Sequence, residues 1–169
     1  MRKSAAFLMV VAVAALAGGY AALAQPSGDS GPQGIVRAGS RPGVPGPASF
    51  FTGQVMATSL VAPQPGARSG LSLVTFQPGA RSNWHTHPGG QILYVTDGCG
   101  WTQREGGPIA LICKGDVAYV PAGVRHWHGA TSTTAMSHLS VAETVEGKNV
   151  DWMEPVSDAQ YGAGPKPPS

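Results

Sequence analysis

All five histidines of the chain fall between residues 85 and 138, and four of them form two pairs, His85-Thr86-His87 and His126-Trp127-His128. In an extended strand, residues two apart point to the same side. Each pair therefore places two imidazoles on one face, while Trp84, Thr86 and Trp127 take the opposite one. The first pair lies in Gly79-Ala-Arg-Ser-Asn-Trp-His85-Thr-His87-Pro-Gly-Gly-Gln91. The second lies in Gly115-Asp-Val-Ala-Tyr-Val-Pro121-Ala-Gly123-Val-Arg-His126-Trp-His128-Gly.

The surrounding texture favours strands. From Phe50 onward, short apolar runs alternate with turn residues, giving candidate strands over 51–60, 71–76, 92–96, 100–104, 109–113, 117–120, 126–130 and 135–141. Strands of this length, spaced about every ten residues, belong to a sandwich or small barrel, so the fold class is all-β. Asp97-Gly98 reads as a turn, and so does Gly106-Gly107. A hairpin tipped by residues 131–134 would set His138 directly across from His126. The bend Pro88-Gly89-Gly90 can swing Gln91 back toward the first histidine pair. One short C-terminal helix is expected, opened by Ser157-Asp158.

The N-terminus is a processing signal rather than part of the fold. Arg2 and Lys3 precede an apolar run over residues 5–16, and Ala22-Leu23-Ala24 supplies a small-x-small cleavage site. The run is short and rich in small residues for a membrane span, the competing reading. Residues 1–24 are thus expected to be a signal peptide, with the mature chain exported to the periplasm or secreted. Residues 25–48, with Pro26, Pro32, Pro42, Pro45 and Pro47, read as a linker, a tether or merely a disordered arm. The folded domain is expected over 49–162 and a flexible tail over 163–169.

Without residues 1–24 the chain has nine basic and nine acidic residues, and Lys and Arg form no cluster. That balance argues against a nucleic-acid partner, and against a membrane partner once the signal is cleaved, because phosphate binding needs concentrated positive charge. The 145 residues that remain suffice for one core.

Cys99 and Cys113 are the only cysteines. In an exported chain they are free to oxidise. A two-residue turn at Gly106-Gly107 sets them nearly opposite one another, so a cross-strand disulfide is possible. Two buried thiols acting as small hydrophobes are the alternative.

A single histidine in a strand is ordinarily a surface or hydrogen-bonded core residue. His-x-His, an amide four residues on, and a third histidine in a separate Pro-x-Gly-x-x-His segment make a much stronger pattern for metal binding. Gln91 is either a ligand of that metal or a neighbour of its ligands. Three neutral imidazoles and a neutral amide leave the metal charge uncompensated. The donor set suits Mn, Fe, Ni, Zn or Cu, and the residual charge favours Lewis-acid over redox chemistry.

The spacings Gly79-x5-His85-x-His87-x3-Gln91-x6-Gly98 and Gly115-x5-Pro121-x-Gly123-x2-His126 resemble the two cupin motifs. The resemblance implies a double-stranded β-helix, a jelly-roll barrel with one divalent metal inside each subunit. Most cupins carry Glu where this chain has Gln91, and often Asn where it has Ala130. Three wider strings resemble the bacterial cupin hydroxynitrile lyases: Trp84-His-Thr-His-Pro with Gly98-Cys-Gly-Trp-Thr-Gln-Arg-Glu-Gly-Gly107-Pro; His126-Trp-His-Gly-Ala130 with Thr133-Thr-Ala-Met-Ser-His138; and Val150-Asp-Trp-Met-Glu154. That likeness implies manganese-dependent cleavage of (R)-cyanohydrins such as mandelonitrile to an aldehyde and hydrogen cyanide, in a homodimer or homotetramer.

Carried over by position, the resemblance makes His85, His87, Gln91 and His126 the metal ligands and His138 the general base, which the expected mechanism has acting near its natural working pH. His128 is a second catalytic candidate. Ser72, Val74 and Ala142 would line the small-molecule pocket, Ala142 being smaller than the Gln often found there. Two other readings stand beside this one. They are a redox cupin cleaving small phenolics or alkenes, and a non-enzymatic metal- or ligand-binding barrel.

Overall fold

The computed structural model of the chain describes residues 34–64 and 67–166. The expected signal segment, the linker as far as residue 33 and residues 167–169 of the expected tail lie outside the described residues. The described chain forms two antiparallel sheets curled against one another, a jelly-roll barrel with one short helix. Among the described residues no helix is long and apolar enough to cross a membrane.

The first sheet contains β1 (Val44–Pro45), β3 (Val55–Val61), β4 (Ser69–Phe76), β11 (Met136–Glu143), the first half of β7 (Gln91–Arg104) and β9 (Val117–Val120), paired in that order. The second contains β2 (Phe51–Thr52), β5 (Arg81–Ser82), β6 (His85–Thr86), the second half of β7, β8 (Ala110–Cys113), β10 (His126–Ala130) and β12 (Asp151–Trp152). Both sheets therefore share β7. Residues 91–98 pair with β11 and residues 99–104 with β8 and β10.

The crossing point corrects one expectation. Asp97-Gly98 is not a turn between two strands but a bend within one. The β7–β11 register slips between Ser137 and His138, and Gly98 takes φ 69°. A side chain at Gly98 would drive into the Ala135 carbonyl, 2.0 Å from an ideal Cβ. Bulges and glycines are how a strand turns a corner from one sheet to another.

A second correction concerns residues 126–143. They do not form a hairpin, because β10 pairs with β7, β5 and β6 whereas β11 pairs with β4 and the other half of β7. The link between them crosses from sheet to sheet. It is held by Thr134 N–H donating to Thr131 Oγ1 at 2.9 Å and Thr134 Oγ1 donating to the Cys99 carbonyl at 3.1 Å. The register partners of His126 are thus Arg104 and His85, not His138.

Two segments are better ordered than their composition suggests. Val44–Pro45, inside the expected linker, add an edge strand opposite Ala57 and Met56. Proline is tolerated there because one side of an edge strand needs no N–H donor. At the other end, the expected tail is held to Pro165, whose carbonyl accepts from Trp101 Nε1 at 3.0 Å.

Cys99 and Cys113 face each other across β7 and β8 and form a disulfide, so the open question between bridge and thiols resolves to the bridge. The expected helix, α1 (Asp158–Gly162), has a capping box. Gln160 N–H donates to Ser157 Oγ at 3.2 Å, and Ser157 N–H donates to Gln160 Oε1 at 3.0 Å.

Apolar side chains collect in two places. Val55, Phe76, Ala80, Val95, Ile112, Ala130 and Met136 form one buried cluster, with Phe51, Val74 and Ala118 packed against it. Trp84, Trp101, Trp127, Val156 and Tyr161 form a second cluster on the outer side of the second sheet. The buried Arg81 ties that outer layer down. It donates to the Val156 carbonyl through Nε at 3.2 Å and Nη2 at 3.0 Å, pairs with Asp158 at 2.5 Å, and lies over the Tyr161 ring at 4.6 Å. Tyr161 in turn donates its hydroxyl to the Ala130 carbonyl at 3.0 Å.

Candidate metal centre

Strand alternation sends one set of side chains from each sheet into the barrel. From the second sheet come His85 on β6 and His126 and His128 on β10, all buried, as the His-x-His spacing requires. His87 follows β6 and is buried beside them. From the first sheet come rungs read directly from the register: Gln91, Ala142 and Gly70; then Leu93, Ser140, Ser72 and Ser59; then Val95, His138, Val74 and Ala57. The five imidazoles lie in one continuous cluster. Ring centres are 5.2 Å apart for His85 and His87, 4.2 Å for His85 and His126, 5.3 Å for His85 and His128, and 5.0 Å for His128 and His138.

Backbone carbonyls set the tautomers of three of these rings. Nδ1 of His85 lies 2.9 Å from the Asn83 carbonyl, Nδ1 of His126 lies 3.0 Å from that of Val124, and Nδ1 of His87 bonds the Asn149 carbonyl. A carbonyl only accepts, so the ring proton sits on Nδ1 and Nε2 keeps its lone pair. This is how protein metal sites orient imidazole ligands.

The same groups pass a test for a cation. His126 Nε2 lies 2.9 Å from Gln91 Oε1. With the His126 proton on Nδ1, two lone pairs face each other there, an arrangement a cation between them would relieve. His87 Nε2 is buried with no hydrogen-bond partner. Ring nitrogens of His85, His126 and His128 all lie within 4.8 Å of one another. That tight set includes His128 where the sequence pattern takes His87, so the geometry offers four imidazoles and the Gln91 oxygen as donors.

Burial governs the titration of the cluster. It holds His85 well below the ordinary range, with the charge on His126 adding to it and the bond to Asn83 opposing it. Burial lowers His87 too, against its bond to Asn149. His126 is lowered to about 4 by burial, opposed by the Val124 carbonyl. His128 is pushed well below its usual value by burial and then by His138. His138 falls to about 4 through burial, opposed by the nearby Leu139 backbone. Enclosure in the interior penalises the imidazolium, so the lowered value leaves His138 neutral at neutral pH.

His138 meets neither of its register partners through a hydrogen bond. It sits across from Val74 and Val95 with both ring nitrogens buried and unpaired, its ring 5.8 Å from that of Phe76. A cavity of about 160 Å³ opens on the cluster, lined among others by Ser59, Ser72, His87, Ser140, Ala142 and Asn149. Ser72 and Ala142 thus reach the cavity, while Val74 lies one rung deeper, against the apolar core. A larger groove of about 760 Å³, edged by Trp84, Arg125 and Glu154, includes none of the histidines.

Several participants escape sequence reasoning. Asn83, Val124 and Asn149 act through backbone carbonyls, which carry no side-chain signal. Trp152, the register partner of His85, sets its ring 4.9 Å from that imidazole at a tilt of 41°. Ser140 bonds the Gln91 amide at 3.0 Å. Its place two residues from both His138 and Ala142 on one strand was the available clue.

This barrel, with its histidine-lined interior, defines the class. The chain belongs to the cupin family, and the Cupin domain model matches residues 72–142. Within it, the chain is 56% identical over 128 residues to a Granulicella tundricola protein named (R)-mandelonitrile lyase, covering 75% of this chain and 97% of that protein. A crystal structure of a cupin-like protein from Thermotoga maritima superposes with TM-score 0.69 at 40% identity, covering 72% of this chain and 93% of that one. A cupin-2 domain from Rhodospirillum rubrum shares the fold at TM-score 0.58 and 17% identity, over 76% of this chain and 84% of that one.

Proposed function

We propose that this protein is a metal-dependent hydroxynitrile lyase that cleaves or forms (R)-cyanohydrins such as mandelonitrile. The likeness to a protein named (R)-mandelonitrile lyase supports the reaction class. One structural observation carries the reading: beside the candidate ligands lies a fully buried imidazole, His138, with both nitrogens unpaired. The proposed ligands are His85, His87, Gln91 and His126, with His128 adjacent, and the proposed ion is one divalent metal per subunit, manganese by resemblance.

A metal held there supplies Lewis acidity, lowering the pKa of a substrate hydroxyl. The chain does the rest. His138 is neutral at neutral pH because burial disfavours its charged form, so a ring nitrogen is free to take the hydroxyl proton. The carbon–carbon bond to the nitrile then breaks, giving aldehyde and cyanide. The proton on His138 passes to cyanide, which leaves as hydrogen cyanide. The small side chains of Ser72 and Ala142 leave the cavity room for a compact substrate. The first residues act as a cleaved signal peptide, the protein works outside the cytoplasm, and it associates as a homodimer or homotetramer.

The test is cyanide release from racemic mandelonitrile by Mn(II)-loaded protein, with the enantiomer of the remaining substrate measured. Release no greater than in the metal-free protein overturns the proposal; oxygen uptake with phenolic substrates would point instead to a redox cupin. His138→Ala should keep its metal yet lose at least about 100-fold in turnover, the low end for removal of a general base. Unchanged turnover removes His138 from that role.

A further inference from the structure

The rung one step below Gln91 carries Ser59, Ser72 and Ser140, successive register partners on β3, β4 and β11. Ser140 alone among them reaches Gln91, whose Nε2 donates to its Oγ at 3.0 Å while Oε1 turns toward His126 at 2.9 Å. The two ends of an amide are nearly the same shape but opposite in chemistry: the oxygen only accepts and the nitrogen only donates. Gln91 is buried, so whichever end faces away from the histidines must find a partner in the protein. For the oxygen to face a cation, the N–H must be accepted on the far side. Ser140 Oγ is the atom placed to accept it.

Resting on the metal-site reading above, we infer that Ser140 is a positioning residue that holds Gln91 oxygen-first toward the metal. A cupin glutamate would not need this service, since both ends of a carboxylate accept. The glutamine makes it necessary, because an unaccepted buried N–H costs about as much as a lost hydrogen bond. Ser140 has the same strand parity as His138 and Ala142, so its hydroxyl enters the barrel whatever the loops do.

Mn(II) affinity, measured by competition with a fluorescent chelator, tests this without reference to turnover. Ser140→Ala should weaken binding about tenfold, the low end for loss of a residue behind a metal ligand. Ser140→Thr, which keeps the hydroxyl, should stay within about twofold of the natural protein. In a Gln91→Leu background, where there is no amide to hold, Ser140→Ala should cost nothing further. Equal affinity of Ser140→Ala and the natural protein overturns the inference, and so does an equal tenfold loss in the Gln91→Leu background, which would make Ser140 a packing residue. A natural protein that takes up no Mn(II) removes the metal-site reading itself, and this inference with it.

Discussion

On the second sheet the outward side chains Trp84, Trp101 and Trp127 lie beneath Val156 and Tyr161 from the chain's own C-terminal segment. On the first sheet Ile92, Tyr94, Val117 and Tyr119 also point outward, yet they stand 43%, 45%, 61% and 69% exposed. The inner faces differ as well. The second sheet supplies His85, His126 and His128, whereas the first supplies Gln91 and a single imidazole, His138, among apolar, small and hydroxyl-bearing residues. The sheet that holds most of the candidate ligands is therefore the one packed on both sides. Ligand positions are only as precise as the packing behind them, and backing β10 with tryptophans fixes the imidazoles on its other face. The first sheet is left with an apolar outer face of the kind that marks a protein–protein contact, which supports the proposed self-association.

This contrast can be broken by experiment. The largest effect expected is at Trp127, which is fully buried and donates Nε1 to Gln103 Oε1 at 2.8 Å. Trp127→Ala should cost about 3–5 kcal/mol of unfolding free energy in urea, as large-to-small core changes do. It should also weaken metal binding through loss of support for His126 and His128. A cost below about 1 kcal/mol would mean the outer cluster does not back the site.

The next effect is acid sensitivity of the metal-free protein. His126 and His138 are lowered to about 4 in the folded state from an ordinary 6.5. Between those values the unfolded chain binds more protons, so stability rises with pH there and falls on acidification from about 6.5 toward 4. Unfolding at pH 7 and pH 5 should differ by on the order of 2 kcal/mol per imidazole. A flat profile over that interval would show that the cluster is not as dry as its burial implies.

The smallest effect on stability is expected on the bare face. Tyr119→Ser should change the subunit's own stability by about 0.5 kcal/mol or less, as surface substitutions do. Light scattering should nevertheless show a shift toward monomer. Natural-like assembly in a Tyr119→Ser, Val117→Ser double variant would take this face out of the subunit contact.

Much of the barrel was legible because strand alternation is a local rule. His85-x-His87 and His126-x-His128 each had to place two imidazoles on one side, and Trp84 and Trp127 had to take the other. The Cys99–Cys113 pairing was legible only as a possibility: in place of the expected two-residue turn, residues 105–109 connect Arg104 to Ala110, and that longer connection sets the two cysteines directly opposite each other. The same local logic failed at residues 131–135, where the sequence resembles a hairpin tip but the chain crosses between sheets. It failed again at Gly98, where a turn signal marks a corner inside β7. In both cases the deciding partner is distant in sequence: Cys99 for Thr134, and Ala135 for Gly98.

What the residues determined by themselves is the candidate donor set: four histidines in two pairs at spacing two, a fifth further along the chain, and a glutamine after a Pro-Gly-Gly bend. Side-chain chemistry and strand period suffice for that, because neither depends on what lies across the barrel. Only the tertiary structure decided which groups those donors meet. It put the Asn83, Val124 and Asn149 carbonyls behind three imidazoles, Ser140 behind Gln91, and His138 beside His128 rather than opposite His126. Those contacts depend on the register between strands far apart in the chain, which burial and close packing set together.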